Sequence, residues 1–490
     1  MARSIFRTKS LDSSPETPEW GLKRALAVSD LVVLGVGATF GVGAFIVVGE
    51  VAARHAGPAV LLSILVAGLV SLAAALCFAE FAAMTPIAGS AYSYAYAGLG
   101  ELPAFILGWG QLLGSVAGTA TLAIGWSSYV ASLLRRLGIA IPEPVAASGL
   151  PGGFASAAAV NLSAAFVVLL ASGVLVVGTR ESSRAFAVLV WVRVLVSLLV
   201  FVLPALWLVQ QSRLTPFIPP NTGTFGEYGA SGVWVGAGLL FFLYLGAEAV
   251  ATAAEEMRDP QRDVPRALVI SVSITTVLYL LLTLAVIGVA GYARVGVANP
   301  FSIALDAMGT SQALAVAVEL VIVVSITSAI MVLQLGLQRT TYVIARDGLL
   351  PGTLTRVHPR FRTPHVAGVT LGVASALVAG MVPLGTAVRL ACLAVLTNFA
   401  VVSAGVLVLR RAAPERYRPF RLPWAGVGAP AACVGCIALA GALVVDEPVS
   451  GLALIVWVAL GLVMYATYGY QRSKLRISTD GVPKAHGSQP

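Results

Sequence analysis

Twelve apolar runs, each about as long as a membrane-spanning helix, follow one another along this chain of 490 residues. A helix needs about 20 consecutive apolar residues to cross the hydrocarbon core of a bilayer. The runs therefore predict an all-α polytopic membrane protein with 12 transmembrane helices. The predicted spans are 26–49, 58–83, 102–131, 155–178, 184–209, 232–255, 267–290, 315–338, 364–382, 387–409, 426–445 and 449–469.

The amino-acid composition excludes the soluble classes of protein. Hydrophobic residues make up 58% of the chain and charged residues only 11%, whereas soluble globular proteins have about 25% charged residues. So few charges cannot cover the surface of a soluble protein of this length. A disordered chain and a disulfide-rich secreted domain are excluded as well, because the chain is strongly apolar and has only 4 cysteines.

The net charge of +9 indicates membrane topology rather than an acidic partner. With the amino terminus inside, 24 of the 31 Lys and Arg residues fall on the cytoplasmic side and five on the outer side. Cytoplasmic loops are enriched in these residues, so residues 1–25 and 471–490 are predicted to be cytoplasmic. The lipid bilayer is an expected partner, nucleic acid is not, and no obligatory protein partner is evident.

Two of the predicted spans carry features that interrupt a helix in the middle of the membrane. The first has four glycines between Gly35 and Gly43, which favours local unwinding, although close helix packing explains part of the cluster. The sixth places Gly246 near Glu248. A carboxylate at that depth indicates a functional site, and a structural hydrogen bond to a neighbouring helix is the alternative.

The ends of the interrupted helices offer chemistry that suits a zwitterion. The second half of span 1 would begin with free backbone N–H groups near residues 43–45, which bind a carboxylate. The first half of span 6 would end with free carbonyls near residues 244–246, which accept hydrogen bonds from an ammonium group. Together these two ends predict a site for the backbone that all α-amino acids share.

Interrupted segments at matching positions of two halves also indicate an inverted-repeat transporter. The predicted transporter domain covers residues 26–470. Its repeats would be residues 26–209 and 232–409, with residues 426–469 as two added helices.

Seven short segments of the chain resemble segments that occur in the same order in the amino acid–polyamine–organocation (APC) superfamily, specifically in the bacterial relatives of cationic amino acid transporters. The resemblance implies a LeuT-type fold with 5+5 inverted repeats, helices 1 and 6 interrupted, and alternating-access transport of amino acids across a plasma membrane. The matching segments are residues 57–59, 75–80, 86–96, 123–127, 253–265, 345–351 and 419–423.

The resemblance also implies which residues bind the substrate. The glycine motif of span 1 would bind its carboxylate, and the 242–248 stretch of span 6 would bind its ammonium group and surround its side chain. Span 3 adds two residues for which a packing role is the alternative. The implied binding residues are Gly41, Val42, Gly43, Ala44, Trp126, Ser127, Phe242, Tyr244, Leu245, Gly246 and Ala247.

Span 5 carries Arg193 where proton-coupled relatives have a lysine. A buried lysine can lose its proton, whereas an arginine does not. We therefore expect Arg193 to be a fixed cation that bonds to the carbonyls of unwound span 1. Transport would then be exchange or facilitated uniport, or would use another carboxylate such as Glu248. An ion pair of Arg193 with an acid, or extension of its side chain towards the membrane surface, is the alternative.

Other functional classes fit the sequence less well. The 4 histidines lie in or near loops and there is no Walker motif, so no enzyme activity, cofactor or metal is expected. A channel or sensor of the same fold, a polyamine or organocation transporter and a proton-coupled symporter are the alternatives. Whether the substrate is cationic or neutral depends on the orientation of Glu248, Glu319 and Arg389, which the sequence leaves open.

Overall fold

Helices form all of the regular structure in the parts of the chain that are described. The computed structural model describes residues 28–40, 43–84, 91–139, 160–178, 183–247, 260–412, 415, 418, 420–422 and 425–475. The helices of the first half are α1 (Val28–Thr39), α2 (Ala44–Val51), α3 (Val60–Met84), α4 (Ala91–Gly98), α5 (Glu101–Arg136), α6 (Leu162–Val177), α7 (Ser183–Leu195) and α8 (Leu203–Trp207). Those of the second half are α9 (Gly229–Leu240), α10 (Pro260–Ala290), α11 (Pro300–Ala307), α12 (Gln312–Arg346), α13 (His365–Met381), α14 (Leu384–Ala412), α15 (Ala425–Asp446) and α16 (Pro448–Met464).

Each predicted apolar run contains helix. Span 1 holds α1 and α2, span 5 holds α7 and α8, and the other ten runs coincide in order with α3, α5, α6, α9, α10, α12, α13, α14, α15 and α16. Within the described ranges, nine helices are long and apolar enough to cross a membrane, and α1, α6 and α13 are shorter apolar helices. The chain is therefore a multi-pass membrane protein.

Helical structure changes at the two positions where the sequence predicts interruptions. Helix α1 ends at Thr39, and α2 begins at Ala44. In span 6, α9 ends at Leu240 and the chain continues as a narrower 3₁₀-helix over Phe241–Ala247. We refer to this last stretch as the 3₁₀ segment.

The two longest helices, α5 and α12, pack against each other and connect the rest of the bundle. Helix α5 also contacts α13 and α14, and small residues along it allow close approach. At Gly125, an added Cβ would overlap the side chain of Ile46. This glycine therefore lets α2 lie directly against α5.

One end of the bundle, which we call the His55 end, is held by a buried charge cluster. The His55 ring places Nδ1 2.8 Å from the Gly226 carbonyl and Nε2 3.2 Å from Nη2 of Arg389. Arg389 in turn forms an ion pair with Asp446, at 2.5 Å. These contacts connect the π-helical turn after α2 (Ala52–Ala56) with the loop before α9, the start of α14 and the end of α15.

The loop before α9 is also held by Tyr228, whose hydroxyl donates to the Ala53 carbonyl at 2.5 Å. Burial raises the pKa of this tyrosine above its usual value. The hydroxyl therefore keeps its proton and acts as a donor throughout the physiological pH range.

The opposite end, which we call the Glu80 end, is held by a second buried carboxylate. Glu80 is fully buried and accepts hydrogen bonds from Arg410, with Nε at 2.9 Å and Nη2 at 2.6 Å. The backbone N–H of Leu422 also donates to it, at 2.8 Å. Glu80 thus joins α3 to α14 and to the segment before α15.

We expect the Glu80→Gln substitution to lower the free energy of unfolding by about 3 kcal/mol, because Arg410 would lose its charged partner in a buried site. The measurement is the thermal unfolding midpoint of the purified protein in detergent. Glu415→Gln is the matched control, since Glu415 is exposed. Equal midpoints for the two variants would show that Glu80 does not stabilise the Glu80 end.

Helix α16 is attached to α5 by two tryptophans. The Trp109 indole N–H donates to the Trp457 carbonyl at 2.8 Å, and the Trp457 indole N–H donates to the Trp109 carbonyl at 2.9 Å. The two rings stack with centroids 4.6 Å apart. Gly461 allows this approach, because an added Cβ there would crowd the Trp109 ring.

Candidate functional site

The two interrupted regions lie in direct contact with each other. An added Cβ on Gly246 would overlap the carbonyl of Ala38, in the last turn of α1. On the other side of the break, a Cβ on Gly43 would lie 3.1 Å from atoms of both Phe242 and Leu243. Glycine at 43 and 246 therefore lets the 3₁₀ segment fit against both the end of α1 and the start of α2.

Helix α2 begins at this contact, so the backbone N–H groups of its first turn lie there. The first intrahelical bonds run from the N–H groups of Ile46 and Val47 to the Gly43 carbonyl, at 3.2 and 2.8 Å. The N–H groups of Ala44 and Phe45 precede this bonded turn, as at any helix start. Ala44 is fully buried, so these donors lie inside the protein.

The end of α1 presents carbonyl groups, and a tyrosine connects them to the 3₁₀ segment. The hydroxyl of Tyr279, on α10, is within hydrogen-bond distance of the Thr39 carbonyl and lies 2.9 Å from the Leu243 carbonyl. Its ring stacks on Phe40, with centroids 5.9 Å apart. Tyr279 is not among the residues that the sequence motifs predict. The available signal was a tyrosine inside an apolar run, because a buried phenol needs a hydrogen-bond partner.

Arg193 approaches the end of α1 from α7. Its Nη2 donates to the Gly37 carbonyl at 2.8 Å, and its guanidinium carbon lies 6.0 Å from the centre of the Phe40 ring. Arg193 is only 5% exposed, although Trp191, two residues earlier, is 52% exposed. Within the described ranges no carboxylate forms an ion pair with Arg193. Its role in coupling stays a prediction.

The two predicted binding residues of span 3 differ in their surroundings. The Trp126 indole N–H donates to Thr327 Oγ1 at 2.9 Å, so its ring is oriented between α5 and α12. Ser127 points elsewhere: its hydroxyl donates to Asn161 Oδ1 at 2.9 Å and lies 2.7 Å from the Ser163 hydroxyl. Because Asn161 caps α6, these hydrogen bonds hold Ser127 against the start of α6, and its role in substrate binding stays a prediction.

The predicted residues of the 3₁₀ segment divide into inward and outward groups. Phe242 is 5% exposed, and an added Cβ on Gly118 of α5 would lie 3.6 Å from its ring. Tyr244 turns away, since its hydroxyl donates to the Ile64 carbonyl at 3.2 Å. Leu245 is half-buried. Of the other predicted residues, Gly41, Val42, Glu248 and the side chain of Ala247 lie outside the described residues.

The structure accounts for two of the three charges whose orientation the sequence leaves open, Arg389 and Glu319. Arg389 lies at the His55 end, paired with Asp446. Glu319 is fully buried and accepts hydrogen bonds from Arg136 Nε and the Ser132 hydroxyl, each at 2.9 Å. None of these hydrogen bonds and ion pairs involves the 3₁₀ segment.

The sequence profile described as amino acid permease matches residues 26–465 of the chain. The chain belongs to the amino acid permease family. The permease is thus a transport protein of the APC superfamily and not an enzyme, as the sequence motifs indicate.

Similarity to individual relatives extends over nearly the whole permease. It is 37% identical to the methylthioribose transporter of Bacillus subtilis over 474 residues, which are 96% of this chain and 99% of the relative. It is 36% identical to the branched-chain amino acid permease BcaP of the same organism, over 97% of this chain and 100% of the relative. Cationic amino acid transporter 3, mitochondrial, of Arabidopsis thaliana is 32% identical over 84% of this chain and 67% of its own length.

Proposed function

We propose that this permease carries a neutral α-amino acid across the plasma membrane by alternating access, with the substrate backbone held where the two interrupted regions meet. The observation that carries the proposal is the contact of Gly246 with the end of α1 and of Gly43 with Phe242 and Leu243. Backbone donors at the start of α2 would bind the carboxylate, and carbonyls at the end of α1 and in the 3₁₀ segment would bind the ammonium group.

The packing of helices supports a LeuT-type arrangement of 12 spans with two inverted repeats. Helix α1 of span 1 packs on α10 of span 7, and α9 of span 6 packs on α3 of span 2. Likewise, α5 of span 3 packs on α14 of span 10, and α12 of span 8 packs on α7 of span 5. Each contact has a counterpart five spans further on, as two equivalent halves would produce.

The position of basic residues supports an extracellular His55 end and a cytoplasmic Glu80 end, with both termini in the cytoplasm. Every residue of α2 is buried, and α2 leads towards the His55 end. This burial supports access to the proposed site from the cytoplasmic side.

The surroundings of Phe242 support a neutral substrate side chain. An added Cβ on Gly118 would lie 3.6 Å from the Phe242 ring and 3.5 Å from the Leu333 side chain, and Trp126 lies further along α5. The charges of Arg389 and Glu319 are neutralised in ion pairs with Asp446 and Arg136. A branched aliphatic side chain fits such surroundings by the hydrophobic effect, and one relative is a branched-chain amino acid permease.

Arg193 supports a mode of transport that is not coupled to a proton gradient. A guanidinium that stays charged and bonds to the Gly37 carbonyl supplies a permanent cation at the end of α1. We propose that transport is therefore amino acid exchange or facilitated uniport, with Arg193 held in place through the cycle.

Counterflow tests the proposed function. Purified protein in liposomes loaded with unlabelled leucine is expected to accumulate external labelled leucine transiently above equilibrium, because exchange uses the outward gradient of unlabelled substrate. Inhibition of leucine uptake is then measured with lysine, glutamate, spermidine and methylthioribose. These compounds represent a cationic amino acid, an anionic amino acid, a polyamine and a thioribose as alternative substrates. The thioribose arm is included because one relative is a methylthioribose transporter.

Transient accumulation in leucine-loaded liposomes, absent from protein-free liposomes, supports a carrier. Leucine entry that only equilibrates indicates a channel, and leucine binding without entry indicates a sensor. Stronger competition by lysine or methylthioribose than by leucine would contradict the neutral amino acid.

A further inference from the structure

His55 is the residue at which the end of span 1 meets the beginning of span 6. Its carbonyl accepts a hydrogen bond from the backbone N–H of Tyr228 at 2.7 Å. An added Cβ on Gly232, in the first turn of α9, would overlap the same carbonyl. The π-helical turn after α2 and the start of α9 therefore lie directly against each other at His55.

The side chain of His55 joins these two spans to spans 10 and 11. Its Nδ1 lies 2.8 Å from the Gly226 carbonyl, and its Nε2 lies 3.2 Å from Nη2 of Arg389. A carbonyl only accepts, so Nδ1 carries the hydrogen and Nε2 of the neutral ring accepts from the guanidinium. Arg389, at the start of α14, also pairs with Asp446 of α15. The neutral ring is thus a link between two groups of helices.

Protonation of His55 would break this link. Both nitrogens of an imidazolium carry hydrogen, so Nε2 would direct a hydrogen at Arg389, whose guanidinium has donors and no acceptor. It would also place a second cation beside the guanidinium in a buried site. Asp446 lies 3.9 Å from Nδ1, but it already pairs with Arg389 and cannot relieve the contact at Nε2. The ring and the guanidinium would have to separate.

Charged and titratable side chains approach His55 from its own turn and from the elements packed around it. They are Glu50 of α2, Arg54 of the same turn, Tyr228 of the loop before α9, Arg294 after α10, Arg389 of α14, Asp446 of α15 and Glu447 before α16. The arginines and the tyrosine keep their protons at physiological pH. Each carboxylate is in an ion pair, Glu50 with Arg54 at 3.1 Å and the other two with Arg389. His55 is therefore the group whose ordinary pKa lies closest to neutral.

We infer that His55 is an acid-operated release of the His55 end: its neutral ring holds spans 1 and 6 to Arg389, and its protonation favours the conformation that is open to the outside. The inference rests on the proposed function, which makes this end extracellular. It goes beyond that function by making external acidity a regulator of access. Protons would shift the conformational equilibrium and would not travel with the substrate.

The release acts only on the acid side of neutral pH. Burial lowers the pKa of His55 below its usual value, and the charge of Arg389 acts in the same direction, whereas the charge of Asp446 opposes them. Above about pH 7 the ring is therefore neutral and the link is intact. Variants of Arg193 are compared in that neutral and alkaline range, where His55 does not change its charge.

Cys392 reports whether this end has opened. It lies one turn after Arg389 on α14, it is buried, and its thiol donates to the Leu239 carbonyl of α9 at 3.3 Å. Separation of α14 from α9 would therefore expose the sulfur atom to reagents in water. Replacing the other cysteines with alanine leaves Cys392 as the only thiol of the chain.

The experiment follows the reaction of Cys392 with 4,4′-dithiodipyridine in purified protein in detergent. Each rate is divided by that of free cysteine at the same pH, which removes the pH dependence of the reagent and of thiols in general. Between about pH 7.5 and about pH 5.5 we expect the divided rate to rise about tenfold or more. The rate is expected to return to its starting value when neutral pH is restored, which distinguishes opening from acid unfolding.

His55→Gln in the same single-cysteine protein is expected to react slowly at both pH values. Its amide supplies a donor and an acceptor, as the neutral ring does, but takes up no proton. If this variant does not reach the folded state, His55→Asn replaces it, because its shorter amide places a nitrogen where Nδ1 faces the Gly226 carbonyl. Glu50→Gln is the matched control. It removes a neighbouring carboxylate that pairs with Arg54, and we expect it to keep the full response to acid.

A response that is lost in the His55 variant and kept in Glu50→Gln supports the inference. A flat profile with His55 present, a response of equal size in the His55 variant, or a response that Glu50→Gln abolishes overturns it. Labelling does not require transport, so the proposed function is scored separately by leucine counterflow. Failed counterflow with an intact response at Cys392 would remove the proposed function, whereas normal counterflow with a flat profile would remove this inference alone.

Discussion

Replacing Gly246 with alanine is expected to lower the initial rate of leucine uptake by about 100-fold or more. The new methyl group would overlap the carbonyl of Ala38, and a backbone carbonyl cannot move aside as a flexible side chain can. The 3₁₀ segment and the end of α1 would have to separate. Because the proposed site is formed by their contact, the carbonyls and N–H groups proposed to bind the substrate would no longer face one another.

The control for this substitution is Gly336→Ala on α12. An added Cβ there meets nothing within 4 Å, so the same chemical change leaves the protein undisturbed. The measurement is uptake into liposomes at matched protein incorporation, with thermal unfolding midpoints for both variants. Uptake by Gly246→Ala at the level of Gly336→Ala would show that close approach at Gly246 is not needed for transport.

Replacing Arg193 with methionine is expected to reduce uptake by about 100-fold or more, because the Gly37 carbonyl would lose a charge-assisted hydrogen bond in a buried site. Arg193→Lys is expected to keep part of the activity and to make it depend on pH. A buried lysine loses its proton as pH rises, so uptake by this variant falls with rising pH. Wild-type uptake is expected to change little, since arginine stays charged.

Uptake under an imposed proton gradient tests the same difference between Arg193→Lys and the wild type. We expect it to stimulate uptake by Arg193→Lys and not by wild-type protein. Arg389→Lys is the matched control, because Arg389 belongs to the ion pair with Asp446 at the His55 end. Strong stimulation of the wild type, retained in Glu248→Gln, would show that Arg193 does not replace a titrating group.

The helical content of the chain could be predicted from its apolar runs, because each span must satisfy its own backbone hydrogen bonds in lipid. The end of α1 at Thr39 could also be anticipated from the glycines between Gly35 and Gly43. The narrower helix over Phe241–Ala247 could not, since a single glycine at 246 does not distinguish a 3₁₀-helix from any other interruption.

The side-chain partners within the site were harder to predict. Arg193 was expected at the carbonyls of span 1, and the geometry places it at Gly37. Tyr279 was missed because Thr39 is 240 residues away in sequence, and no local pattern marks such a contact. Ser127 follows Trp126 directly, yet a helix turns about 100° per residue. One side chain therefore meets α12 and the other meets α6.

The indole pair of Trp109 and Trp457 has a consequence for the response to lipid. Tryptophans of membrane proteins usually anchor a helix by hydrogen bonding at the headgroup level. Here each indole N–H is already bonded to a carbonyl of the other helix, so neither ring depends on headgroups or interfacial water. The depth of α16 is thus set relative to α5 by the protein, and a thinner or thicker bilayer must adapt to the pair as one unit.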